Sequence, residues 1–129
     1  MTDRLVDTQS LIWFLEDDRR LSVKVKKLME AESSRLFVSI ASLWEMAIKM
    51  SLKKLVLSVD FSTMVERTRE NGFELLPVEP EHLVTLMSLE FIHRDPFDRL
   101  IIAQALTENM PLISSDDIFE RYPVQREWA

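Results

Sequence analysis

The chain has 129 residues, of which 47% are hydrophobic and 29% charged, with Gly 1, Pro 5 and Cys 0; a chain this long buries about two-thirds of its unfolded surface around one core. The lack of cysteine excludes disulfides, thiolate zinc sites, iron–sulfur clusters and thiol nucleophiles, and a single glycine, Gly72, cannot supply the glycine-rich phosphate loops of nucleotide-binding folds. A net charge of -6 argues against passive adhesion to nucleic acid, so a phosphate ligand would need a bound cation to attract it. The expectation is one domain over 1–129. The stretch Met1 to Asp7 has no apolar signal core, and no run approaches the ~18 apolar residues of a membrane span, so the reading is cytoplasmic, with no membrane partner.

In chain order, Arg4-Leu5-Val6-Asp7 reads as a short buried strand and Thr8 to Leu15 as a helix with Thr8 at its cap. A solvated turn, Glu16 to Arg20, leads to an amphipathic helix from Leu21-Ser22 to Glu30. Arg35 to Ser39 is the next strand. A helix from about Ala41 to Met50 follows, with Leu43, Met46, Ala47 and Met50 at helical spacing and Glu45 one position round from them. The spacing predicts a helix over about 60–70, closed by Asn71-Gly72, then a strand over 73–78 and a helix over 80–89. Asp95-Pro96 opens the central helix, with Asp95 as N-cap and Pro96 at the first helical position, where its missing N–H costs nothing. Its Leu100 to Leu106 body is apolar nearly all round and so is expected to be buried. Met110 to Ser114 supplies a further strand, and Tyr122-Pro123-Val124 a short edge strand. Strands alternating with helices predict an α/β domain with a mainly parallel central sheet flanked by helices.

Asp7, Glu45, Asp98 and Asp116 each follow a strand or lie in the first turns of a helix, positions that a parallel sheet gathers at one end. Two unit charges ~4 Å apart repel by about 4 kcal/mol at an effective dielectric of about 20, so such a cluster needs protons or a cation. An all-oxygen, histidine-poor set suits Mg²⁺ or Mn²⁺, ions that serve phosphodiester hydrolysis. Each acid also has a local reading. Asp7 could cap the first helix, Glu45 completes the formal capping box Ser42-Leu43-Trp44-Glu45, Asp98 could answer the helix dipole, and Asp116 could be a turn residue. Asp95 is read as a cap, with support of the acids or contact to substrate as its alternative, Asp117 as solvated or supporting a neighbouring acid, His82 as a surface residue beside Glu81, and His93 as structural or solvated, with contact to phosphate as its alternative. Ser114 could orient Asp116, while Ser39 is assigned to strand-end hydrogen bonding. Lys49 and Lys53, and Arg94 and Arg99 on either side of Asp98, are candidate phosphate contacts.

The segments Leu5 to Trp13, Val38 to Lys49 and His93 to Ala105, in this order and spacing, resemble the PIN-domain ribonucleases, and most closely the toxin subunits of VapBC-type toxin–antitoxin pairs. The resemblance runs from Leu5 to Trp128. It implies a three-layer α/β/α PIN-like domain and an acidic Mg²⁺ or Mn²⁺ site that cuts RNA, with Asp7, Glu45, Asp98 and Asp116 as the catalytic and metal-holding acids. Ser114 keeps the family's hydroxyl-x-Asp pattern, whereas Lys53 stands where relatives of this type often carry glycine. The resemblance further implies a homodimer held inactive by a cognate antitoxin. Trp13, Phe14, Trp44 and Met50 are candidates for exposed apolar contacts, although core packing is the default for each. Two rivals stand beside this reading. Another Mg²⁺-dependent α/β phosphate hydrolase would need a lysine after a later strand, where Pro111 to Asp117 offers serines and acids; a non-catalytic PIN-like binding module would have no use for the intact acids.

Overall fold

Four of the five strands predicted from the sequence form where expected, the fifth forms a few residues later, and all of them run the same way. A computed structural model describes residues 1–128; Ala129, the last residue of the expected 1–129 domain, lies outside the described residues. The elements are β1 (Thr2–Val6), α1 (Thr8–Leu15), α2 (Val23–Glu30), β2 (Ser34–Ser39), α3 (Ile40–Ser51), α4 (Phe61–Glu70), β3 (Glu74–Leu76), α5 (Pro80–Ser88), α6 (Pro96–Glu108), β4 (Leu112–Ile113), a 3-10 helix (Asp117–Arg121) and β5 (Arg126–Glu127). The sheet is parallel throughout, in the order β3-β2-β1-β4-β5. No helix among the described residues is long and apolar enough to cross a membrane.

Alternation along the central strands divides the core. Val6, Val38 and Ile113 face one side, where they pack with Leu11, Met46 and Met64 of α1, α3 and α4. Leu5 and Leu112 face the other, against Ile101, Ile102 and Ala105 of α6. Burial of both faces is what allows an all-parallel sheet, and helices on each side supply it. Of the nearly all-apolar run Leu100 to Leu106, expected to be buried, Leu100 to Ala105 is buried and Leu106 half-buried.

Local chemistry sets the element ends. Asp95 caps α6 by accepting the N–H groups of Phe97 and Asp98, with Pro96 in the first turn. Asn109, at φ 55, ends that helix in the left-handed region, and Gly72, at φ 85, does the same one residue past the cap of α4. Two expectations shift. Asp7, not Thr8, is the N-cap of α1. The last strand lies at Arg126–Glu127, because Pro123 has no N–H to give and Tyr122 to Val124 turn instead; pairing begins where Leu112 N–H donates to the carbonyl of Gln125.

The order of the strands creates a crevice. From β1 the chain passes to β2 on one side and returns at β4 on the other, so the connections leaving β1 and β4 diverge. A parallel sheet binds ligands at the strand ends where the order reverses in this way.

Candidate active site

At the ends of β1, β2 and β4 lies a cleft of about 320 Å³, lined by Asp7, Glu45, Lys49, Asp95, Asp98 and Asp116 together with Thr8, Gln9, Ile12, Met46, Leu55 and Ser115. The four acids predicted from sequence thus come together from four separate stretches of chain.

Asp7 follows β1 directly and is 5% exposed. One carboxylate oxygen accepts the N–H of Ser10, capping the start of α1. Burial pushes its pKa up, opposed by hydrogen bonds from Ser10 and Ser114. Glu45, also 5% exposed, projects from the second turn of α3. The helix already begins at Ile40, capped by Ser39, so no capping box forms at Ser42; that hydroxyl instead accepts from Thr8. Glu45 Oε2 accepts from Lys49 Nζ at 2.6 Å, while its Oε1 is buried with no partner among the described residues. A buried, unpartnered carboxylate oxygen is costly unless something else fills the site.

Asp98 stands in the first turn of α6. Burial, then the charges of Asp95, Glu45, Asp7 and Asp116, push its pKa to about 8. Asp116 follows β4: its own N–H donates to Ser114 Oγ, and its Oδ1 accepts from Ile118, opening the 3-10 helix that periodicity did not reveal. Ser114 is fully buried beneath it. A divalent ion fits this donor set: the ligands are hard oxygens, one is orphaned in the interior, and the burial and mutual repulsion that push the Asp98 pKa up call for positive charge.

The candidate cations separate. Lys49 lines the cleft, and Glu45 holds its pKa up, helped by Asp95 and Asp98. Lys53, expected to share its helix face, lies beyond the end of α3 at φ 57. Arg94 is exposed and makes no ion pair among the described residues. Arg99 is a correction to its reading as a phosphate contact. It is buried, its Nη1 donates to the Glu90 carbonyl and lies 3.4 Å from Tyr122 Oη, and its guanidinium stacks on Phe91. One residue after Asp98 on a helix, it points about 100° away from the cleft.

His82 departs from its reading as a surface residue, and His93 is held in place rather than solvated. His82 is fully buried: Nδ1 accepts the N–H of Glu79, and Nε2 lies 2.8 Å from Glu108 Oε2, tying α5 to α6. His93 joins the acids, its Nε2 3.0 Å from Asp98 Oδ2 and 3.5 Å from Asp116 Oδ2. The signal for it in the sequence is position alone, two residues before the Asp95 cap, from which a folded-back chain reaches the first turn of the helix it precedes.

The fold is similar to that in several solved structures. Against the crystal structure of VapBC2 from Rickettsia felis bound to a DNA fragment from their promoter, the TM-score is 0.76 at 14% identity, covering 98% of each chain. Against DNA-bound VapBC from Salmonella typhimurium it is 0.71 at 16% identity over 98% of each chain, and against FitAcB from Neisseria gonorrhoeae 0.67 at 16% over 95% of each. At such identities the likeness is one of fold. No curated protein matches the sequence. The PIN domain family model matches residues 4–125, a span that takes in every acid of the cleft, and the chain belongs to the PIN domain family.

Proposed function

We propose that this protein is a metal-dependent endoribonuclease, acting in the cytoplasm as the toxin of a toxin–antitoxin pair. The observation that carries the reading is the convergence of Asp7, Glu45, Asp98 and Asp116 on one cleft, with Glu45 Oε1 buried and unpartnered and Asp98 pushed to about 8. These acids would hold Mg²⁺ or Mn²⁺. Bound there, the ion supplies Lewis-acid activation of water and charge neutralisation at phosphate, chemistry suited to hydrolysing a phosphodiester.

The chain's own residues supply the rest. Asp95 fixes the first turn of α6 and hence the direction of Asp98. Ser114 takes the Asp116 N–H and also opposes the rise of the Asp7 pKa, which links two of the acids. Lys49 is placed to meet an RNA phosphate once its Glu45 partner is engaged elsewhere, and the exposed Arg94 offers a second cation beside the cleft. Inside a protein of net charge -6, such local positive groups and the bound ion must supply the attraction for RNA.

The likeness in fold to the VapBC and FitAcB structures supports a cognate antitoxin here, and a homodimeric assembly belongs to the same reading. Trp44 is 59% exposed and meets Phe97 edge-to-face at 5.1 Å. An apolar side chain so placed, one residue before Glu45, suits an antitoxin segment lying over the cleft.

The test is cleavage of a mixed RNA pool by the purified chain with Mg²⁺, with Mn²⁺ and with chelator, beside Asp7→Asn and Asp98→Asn. Metal-dependent cutting lost in both variants is the expected result. A folded protein that neither cuts RNA nor binds either metal would overturn the catalytic reading.

A further inference from the structure

We propose that His93 is a positioning residue of the cleft, whose Nε2–H is shared between the carboxylates of Asp98 and Asp116 and which does not itself ligate the ion. The inference rests on the metal-site reading above and adds a residue and a role to it. Neutral imidazole carries one N–H, and the hydrogen bond at the other nitrogen decides which. The backbone N–H of Asp95 donates to His93 Nδ1 at 3.2 Å, so Nδ1 presents its lone pair and the proton resides on Nε2. Nε2 then lies 3.0 Å from Asp98 Oδ2 and 3.5 Å from Asp116 Oδ2, between the two and aligned with neither.

The ring is fixed on every side. Its own backbone N–H donates to Tyr122 Oη at 2.8 Å, that hydroxyl donates to the Glu90 carbonyl, and the imidazole packs on Phe119 with 5.6 Å between ring centres. The first turn of α6 and the segment after β4 are joined by no other side chain that touches both acids among the contacts of the described residues. His93 supplies positive hydrogen between two carboxyl groups on separate elements, which would push apart once Asp98 gives up its proton.

The same three residues could be read as a ligand set, since one donor atom from each lies within 4.8 Å of the others. Ligation by Nε2 requires its lone pair. The proton would then sit on Nδ1, facing the Asp95 N–H, and the contact that orders the entry to α6 would become a clash of two donors. The backbone at Asp95 thus selects the tautomer that donates.

Two measurements test this on the whole protein. Long-range ¹H–¹⁵N spectra resolve the two histidines, with His93→Gln assigning the His93 signals. The expected pattern is a protonated Nε2 and an unprotonated Nδ1, unchanged by saturating Mg²⁺. An Nδ1–H tautomer, or an Nε2 signal that moves to the ligated position with Mg²⁺, would overturn the proposal. The second measurement compares His93→Ala and His93→Gln by Mn²⁺ calorimetry and by RNA turnover. The alanine variant should lose about 10–100-fold in kcat, with KM for RNA little changed, and the glutamine variant, whose amide can donate from nearly the same place, should recover most of that. Mn²⁺ affinity should stay within about threefold of wild type in His93→Gln; a loss as large as in Asp98→Asn would make His93 a ligand. Should the wild type cut no RNA, the spectra and the calorimetry still decide the role of His93.

Discussion

The two ends of the sheet treat charge in opposite ways. Where the strands begin, acids and bases alternate across neighbouring strands: Arg35 of β2 lies 2.8 Å from Glu74 of β3 and 3.9 Å from Asp3 of β1. Where they finish, Asp7, Glu45, Asp95, Asp98 and Asp116 gather round a single lysine ammonium and one imidazole. A charge pair at the starting end satisfies itself, so it asks for nothing further. The finishing end is unsatisfied by construction, and the physical signs of it are an orphaned Glu45 oxygen and an Asp98 carboxyl that holds its proton to about 8. Such local instability, held in place by a well-packed core, is where a ligand of opposite charge gains the most.

The largest effect should come from removing one charge at the finishing end. Asp98→Asn is expected to lower RNA cleavage by about 10³-fold or more, the scale for one member of a concerted catalytic unit, and to abolish tight Mn²⁺ binding. In the metal-free protein the same change should raise Tm, because an amide does not carry the repelled charge. Asp7→Asn should behave similarly in the cleavage assay, its amide oxygen still able to accept from Ser10. Loss of activity with a collapsed Tm in both variants would instead mark these acids as structural.

The pH dependence has a definite sign. The folded pKa of Asp98 lies above its ordinary value of 3.8, at about 8. Between those limits the folded state binds more protons than the unfolded, so this group's contribution to stability is greatest at the acid end and is lost as pH rises through about 8. For metal-free protein the slope from this group is at most about 1.4 kcal/mol per pH unit, or roughly 5 °C in Tm for a chain of this size. Scanning calorimetry from pH 5 to pH 8 should show the decline, and Asp98→Asn should reduce it, the remainder coming from Asp7, whose pKa burial also raises. Asp18 does not interfere, since Arg20 lowers it to about 2 and its effect falls below that window. Mn²⁺ affinity should move the other way, tightening as pH rises, because the ion competes with the proton.

Much of this contrast can be read from sequence because each acid follows a strand or lies in the first turns of a helix, and the signals for both are local. Asp95 before Pro96 identifies the start of α6, and the apolar run after it identifies a buried helix. The local and functional readings of Asp7 and Asp116 turn out to be compatible: one oxygen of each caps a helix, which leaves the other free to face the cleft. What sequence hides is contact at long range. The acceptor that makes burial of His82 tolerable, Glu108, is on another helix, while α5 turns Leu83, Val84 and Met87 outward, so the usual polar-out pattern misleads. His93 depends on a loop that folds back under Tyr122. Arg99 adjoins Asp98 in sequence, yet helical geometry sends it to the other side of α6.

Lys49 tests whether the finishing end is truly short of positive charge. Its pairing with Glu45 joins a half-exposed ammonium to a buried carboxylate. In Lys49→Met, metal-free stability should fall by about 1 kcal/mol, limited by solvent screening of the ammonium, as chemical denaturation would register. Mn²⁺ should bind severalfold more tightly by calorimetry, since no resident cation has to be displaced, whereas KM for RNA should rise. Weaker Mn²⁺ binding would show that Lys49 supports the ion instead of opposing it.

The smallest effect belongs to the starting end, and its smallness is the point. Arg35, Glu74 and Asp3 are each between 44% and 49% exposed, so water screens their attraction and holding the long side chains in register costs entropy. Arg35→Met removes the charge but keeps an apolar stem over the ring of Phe37, which the guanidinium covers at 5.1 Å. The expected change is about 0.5–1 kcal/mol in urea denaturation, with RNA cleavage and Mn²⁺ affinity as in wild type. A change in metal affinity of more than about threefold would mean that charge at one end of the sheet is felt at the other. The separation of a self-satisfied end from an unsatisfied one would then fail, because over the length of a short strand in salt an exposed charge should already be screened.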